Sequence, residues 1–289
     1  MADYRQDAPF TVQIELAEGC NISVPRSDGT KGLCEHCGLN AIRSGSGDYK
    51  FMTVETAEIV AKQIQAAGWT SQLLFAQHGE PSMNPYMCEI IAVFRKYLPK
   101  QYMVMLTNGG GFIKEGRLHK IFDSGLNVLA VDDYEGAGLV ARIPFDQATV
   151  PILHYPSNKD ANPHHRTKKQ FIVLIDDIKS ATKGTHATLN NHAGSGMPKN
   201  NSQQGKRCAK PFREMGVRWD GTVSGCCVDW RNLVEAGNVH TTPIDGIWQG
   251  QVLSAMRRIL ITGYRDKINL CSGCDHPSYR VGLLPDKFG

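Results

Sequence analysis

Apolar and polar residues alternate over Thr11-Val12-Gln13-Ile14-Glu15-Leu16, the period of a strand with one face turned to a core. The spacing then becomes helical, with Val54, Ala57, Val60, Ala61 and Ile64 on one face of a helix running to Ala67 and Thr53 in the N-cap place. Gln72 to Ala76 is a short apolar run that reads as a buried strand and ends at His78-Gly79-Glu80-Pro81. The same alternation continues. A helix is predicted over Asn84 to Tyr97, and a strand over Tyr102 to Leu106 that ends at Thr107-Asn108-Gly109. A helix over Lys114 to Phe122 then leads to a strand over Asn127 to Val131, which ends at Asp132-Asp133-Tyr134. Val150 to His154 and Phe171 to Ile175 complete six strands.

Strands and helices in this order predict parallel βαβ units, with the polar and glycine residues at the C-terminal strand ends, where such folds carry their chemistry. Six strands imply an α/β fold built as a partial, TIM-like (β/α)6 barrel.

Periodicity is lost between Gly184 and Gly205, a stretch rich in Asn, Gly, Ser and His that is either disordered or functional. His192 within it is a candidate lid residue. Beyond it, Met215 to Trp219 and Thr222 to Cys226 flank Asp220-Gly221, a hairpin signal, and a helix follows over Gln251 to Ile261. The expected organisation is a barrel over residues 1–183, a linker over 184–205 and a small α+β domain over 206–289. Trp219, Trp230 and Trp248 read as core of that domain, with Arg257 and Arg258 on the outside of its helix.

Composition narrows the class. The 289 residues are 41% hydrophobic, enough for one large and one small core, with no apolar run of membrane-spanning length and a polar start. A cytoplasmic protein without membrane contact is expected. The net charge of +4 is mild, and only His164 to Lys169 is locally basic. This favours an anionic small molecule over a nucleic acid. Nine cysteines in a chain of this kind point to metal binding or catalysis more than to a disulfide framework.

Cys20, Cys34 and Cys37 lie in the loop after the first strand. Three thiolates can hold three irons of a [4Fe–4S] cluster and leave the fourth iron open to a small ligand. Zinc is the competing occupant for the Cys34/Cys37 pair. Cys208, Cys226, Cys271 and Cys274 form a C-x17-C-x44-C-x2-C set that suits a closed cluster or, again, zinc. Cys88 reads as a buried thiol on a helix, and Cys227, beside Cys226 on the expected strand, would point to the opposite face.

These residues resemble the radical S-adenosylmethionine enzymes. The triad follows the first barrel strand with His36 in the aromatic place before the third cysteine, although the 13 residues between Cys20 and Cys34 far exceed the family's usual gap. Gly79-Glu80-Pro81 is similar to the motif that holds the methionine amino group, Thr107-Asn108 to the third strand end, and Asp132 to the acidic residue near the ribose. The second cysteine set resembles the short Twitch form of the SPASM auxiliary-cluster domain.

The resemblance implies two [4Fe–4S] clusters and S-adenosylmethionine, cleaved reductively to a 5′-deoxyadenosyl radical that abstracts hydrogen from a small polar substrate such as a sugar, cyclitol or nucleotide. It further implies a flavodoxin- or ferredoxin-type electron donor and a monomer or weak dimer. Asp133, Tyr134, His154, His165 and Arg166 are the candidate substrate residues, because an Asp or His there could take a proton as the substrate is oxidised. Two other readings remain open. One is a peptide-maturing relative, which the short stretch before the first strand disfavours. The other is a non-catalytic iron–sulfur carrier, which the polar strand ends disfavour.

Overall fold

The computed structural model describes residues 7–43, 47–114, 116–134, 137–155, 169–175, 191–196 and 203–276. Its sheet strands are β1 (Thr11–Ile14), β2 (Gln72–Phe75), β3 (Met103–Thr107), β4 (Val128–Asp132), β5 (Ile152–Tyr155), β6 (Phe171–Ile175), β7 (Glu214–Val217), β8 (Thr222–Ser224) and β9 (Glu235–Asn238). They form one sheet in the order β9-β8-β7-β1-β2-β3-β4-β6-β5, parallel from β7 to β5 and antiparallel from β7 to β9. The six expected parallel strands are therefore all present in an open sheet consistent with a partial barrel. The last two exchange places, so that β6 and not β5 lies beside β4.

Alternate residues serve two cores, as the period of two requires. Val12, Ile14, Leu73, Phe75, Met103 and Met105 face the helices. There they meet Val60 and Ile64 of α1 (Val54–Ala66) and Ile90 and Phe94 of α2 (Met87–Tyr97). Leu74, Val104, Val128, Ala130 and Val173 form a separate cluster on the other face. Burial on both faces explains why β1 and β2 are buried at every position.

Local chemistry sets the helix ends. The Thr53 hydroxyl accepts from the Thr56 N–H at 3.1 Å, the cap expected of α1. The second helix starts at Met87 instead of Asn84 because Asn84 is otherwise engaged. Its Nδ2 donates to the carbonyls of Leu16 (2.8 Å) and Met52 (2.9 Å), and its Oδ1 accepts from the Tyr86 N–H.

The C-terminal segment is joined to the barrel strands by main-chain pairing, with Thr11 to Ile14 in register with Glu214 to Val217. One sheet thus runs through both expected units. The helix layer is shared as well: Gln63 donates to the Val239 carbonyl at 2.8 Å and accepts from the Ile244 N–H at 2.9 Å, and Trp69 meets Trp248 edge-on. Helices α3 (Arg117–Asp123), α4 (Lys210–Arg213), α5 (Ile244–Gln249), α6 (Gln251–Leu260) and α7 (Asn269–Ser272) complete the described helices.

Arg257 corrects the expectation of an exposed helix face. It is buried, stacks on the Trp248 ring at 4.1 Å, and donates to the carbonyls of Pro211 (2.8 Å) and Trp248 (2.7 Å). Helical spacing cannot distinguish a solvated arginine from one that spends its donors on loop carbonyls. No helix among the described residues is long and apolar enough to cross a membrane.

Candidate active site and iron–sulfur sites

Parallel strands β1 to β4 bring their C-terminal ends to one edge of the sheet, and the motif residues follow those ends. The cysteine loop leaves β1 through the short pairing of Ala17–Glu18 with Lys50–Phe51, and Gly19 bridges to Gly79 after β2. Glu80 N–H donates to the Gly19 carbonyl at 2.9 Å. The approach is so close that a Cβ on Gly79 would lie 2.3 Å from the Ala17 carbonyl oxygen, so only glycine fits.

Cys20, Cys34 and Cys37 pack in one apolar group with Ile22, Val24, Leu33 and Leu39. The long insertion between Cys20 and Cys34 folds into a small hairpin, Val24–Pro25 against Lys31–Gly32, so the three thiols gather despite it. Asn40 closes the loop by donating to the carbonyls of Cys34 (2.7 Å) and Cys37 (3.0 Å). Burial pushes all three thiols up, Cys34 to about 12, so deprotonating them here takes a strong cationic partner such as an iron–sulfur core. Burial lowers the pKa of His36, between the second and third cysteines.

Glu80 is fully enclosed at the end of β2. Its carboxylate accepts from the Ser82 N–H (2.9 Å), the Asn108 N–H (2.7 Å) and the Thr107 hydroxyl. Burial raises its pKa while these donors oppose the shift. Glu80 therefore ties the β2 end to the β3 end, with Pro81 opening the turn between. Asn108 continues the chain of contacts, donating through Nδ2 to Cys20 Sγ (3.4 Å) and Asn21 Oδ1 (3.0 Å).

At the end of β4, Asp132 pairs with Ile175, and the Asp133 N–H donates to the Ile175 carbonyl at 3.1 Å. Tyr134 turns back onto the cysteine group. Its pKa is raised well above the usual value, by burial first and then by Asp132 and the three nearby thiols. The structure thus brings Gly79, Glu80, Thr107, Asn108 and Tyr134 to the triad. His154 lies exposed on the outer strand opposite Leu174, and His165 and Arg166 fall outside the described residues.

The second cysteine set surrounds a small cavity. Cys208, Cys226, Cys271 and Cys274 all line it, with Met256, Leu260 and Leu270 as apolar wall. Strand β8 ends at Ser224, so Cys226 and Cys227 stand on a turn and not on the expected strand. They do not take opposite faces: Cys226 lines the cavity, and the Cys227 thiol is hydrogen-bonded to the Cys226 thiol while lying 3.2 Å from the Lys210 ammonium and 3.5 Å from the Glu214 carboxylate. No three His, Cys, Asp or Glu side chains among the described residues converge tightly enough for a single metal ion. An iron–sulfur core is larger than one ion and needs wider-set thiolates.

Residues 191–196 connect the two sites. Asn191 donates to the Gly273 carbonyl at 2.7 Å and its N–H to Asp275, while Ala193 lines the cavity. At the other end, Gly196 packs on the His36 carbonyl. Periodicity missed this bridge along with the roles of Asn40, Asn84 and Trp230. The loss of periodicity between Gly184 and Gly205, with His192 inside it, is the one sequence signal that marks this stretch.

Residues 208–275 match SPASM, an iron–sulfur cluster-binding domain. The S-adenosyl-L-methionine-dependent 2-deoxy-scyllo-inosamine dehydrogenase of Niallia circulans is 23% identical over 220 residues, covering 76% of this chain and 79% of that protein. The crystal structure of BtrN in complex with AdoMet and 2-DOIA superposes with a TM-score of 0.69 at 20% identity, covering 93% of this chain and 94% of that one. A structure of anSMEcpe with bound AdoMet gives 0.52 at 14% identity, over 92% and 86%. Residues 208–275 thus match an iron–sulfur cluster-binding domain, and 93% of the chain shares the fold of the AdoMet-bound BtrN structure.

Proposed function

We propose that this chain binds S-adenosylmethionine at the cluster of Cys20, Cys34 and Cys37 and dehydrogenates a small polar, cyclitol-like substrate, with an auxiliary cluster held by Cys208, Cys226, Cys271 and Cys274. The observation that carries the reading is the pair of unequal sulfur sites: three cysteines beside polar strand ends, and four around one apolar cavity. The S-adenosylmethionine-dependent dehydrogenase of an aminocyclitol, similar over three quarters of the chain, supports the substrate class.

Cys20, Cys34 and Cys37 would hold a cluster with an open iron, able to bind and reduce S-adenosylmethionine, and Cys208, Cys226, Cys271 and Cys274 would hold a closed cluster able to accept an electron from the substrate. The protein does the rest. Glu80 holds the β2 and β3 ends together, and Gly79, Glu80 and Pro81 are the candidates to meet the methionine amino group. Asn108 orients Cys20 and Asn21. Asp132 is the candidate for the ribose hydroxyls, and Tyr134 walls off the triad from water. Asp133, His154, His165 and Arg166 are the candidates to bind the substrate or take its proton. A flavodoxin- or ferredoxin-type donor, a monomer or weak dimer, and the cytoplasm complete the proposal.

The test is anaerobic turnover of the reconstituted protein with S-adenosylmethionine, a reductant and a panel of cyclitols and aminosugars. The reading expects a product two hydrogens lighter, formed in step with 5′-deoxyadenosine. Modification of peptides instead, with every cyclitol and sugar untouched, would overturn the substrate class.

A further inference from the structure

Trp230 belongs by sequence to the auxiliary domain and by contact to the N-terminal cysteine loop. Three residues separate it from Cys226. The turn between them is closed by the Asp229 N–H on the Cys226 carbonyl at 3.1 Å. It is fixed from outside as well, since the Asp229 carboxylate accepts the N–H groups of Leu233 and Val234, both at 2.8 Å. This turn delivers the indole into the apolar group that holds Cys34 and Leu39, where Trp230 is 6% exposed.

The indole lies directly on the residue after the third cysteine. A Cβ on Gly38 would sit 2.4 Å from Trp230 Nε1, which accounts for glycine at that position. The rings of His78 at 4.7 Å and His192 at 5.4 Å flank it. In this setting Nε1 carries a buried N–H with no acceptor among the described residues. A buried donor is rarely left unpaired, and one that is calls for a partner the protein itself does not supply. Both ring nitrogens of His78 are engaged, by the Glu15 carboxylate and the Cys227 carbonyl, and the cysteine group beside Gly38 adjoins the indole.

We infer that Trp230 Nε1 donates a hydrogen bond to a sulfur of the cluster held by Cys20, Cys34 and Cys37, an inference that rests on the cluster assignment above. A donor aimed at cluster sulfur stabilises the reduced, more negative state and raises the reduction potential. Because the Cys226-to-Trp230 turn places that donor, the domain that holds one cluster tunes the potential of the other. Trp230 is a positioning residue in this role and takes no part in bond making.

The test is a redox titration of the two-cluster holoenzyme followed by electron paramagnetic resonance. The signal that changes on adding S-adenosylmethionine identifies the N-terminal cluster. Trp230→Phe removes the N–H and some volume. Benzothienylalanine at position 230 removes the N–H and keeps the shape. In both variants the S-adenosylmethionine-responsive cluster should titrate at a more negative potential, with the other cluster and the affinity for S-adenosylmethionine unchanged. An unmoved potential in the benzothienyl protein overturns the inference. So does weakened S-adenosylmethionine binding at unchanged potential, which would assign the N–H to that ligand. If the unsubstituted protein shows no responsive signal at all, the underlying cluster reading fails with it.

Discussion

Glu80 N–H donates to the Gly19 carbonyl at 2.9 Å, so the turn after β2 and the loop carrying Cys20 are held as one piece. Gly79 makes this approach possible. Substituting Gly79→Ala forces a methyl against the Ala17 and Gly19 backbone and should cost about 1–3 kcal/mol, as overpacking generally does. Thermal denaturation of the variant should show the lower Tm, and iron analysis should show loss confined to the N-terminal site.

Glu80→Gln replaces an acceptor of three hydrogen bonds by a group that offers one acceptor oxygen and an NH2 facing a donor. Leaving buried donors unpaired costs roughly 1–3 kcal/mol. Chemical denaturation should register that loss. S-adenosylmethionine binding should weaken too, because the β2 and β3 ends lose their tie.

Cys226 and Cys227 touch each other, but only Cys226 lines the cavity, and paired substitutions separate their roles. Cys226→Ser should lose the auxiliary cluster's iron and its spectroscopic signal. Cys227→Ser should keep both, since that thiol is absent from the cavity lining and a serine hydroxyl can still meet Lys210 and Glu214. Iron loss from the second variant and not the first would reverse the assignment.

His192 supplies a pH dependence. Burial holds its pKa down at about 4, against an ordinary value near 6.5. Between those values the unfolded chain binds a proton that the native state refuses, so stability is greatest above pH 6.5 and falls as the pH drops toward 4, by about 1 kcal/mol per unit. Denaturation midpoints measured from pH 7 to 5 should decline, and His192→Gln should flatten the slope.

The parts of this molecule legible in its sequence are those that local pattern encodes. A period of two marked Thr11–Ile14 and Gln72–Phe75, helical spacing and a threonine cap marked Val54–Ala66, and the chemistry-bearing residues stood next to the breaks in those patterns. What stayed hidden depends on contacts across long separations. The pairing of Thr11 with Glu214 joins segments two hundred residues apart, and no local period records it. Arg257 looks like any surface arginine until the Pro211 and Trp248 carbonyls are placed around it. Trp230 reads as core because it is core, but of the neighbouring loop.

The central claim is that three sulfurs present an iron able to take up and cleave S-adenosylmethionine. The direct measurement is 5′-deoxyadenosine formation by the anaerobically reconstituted protein given S-adenosylmethionine and a strong reductant, beside a Cys34→Ala variant. The account predicts 5′-deoxyadenosine from the first and none from the second. Its absence from an unsubstituted protein carrying full iron at both sites would contradict the account.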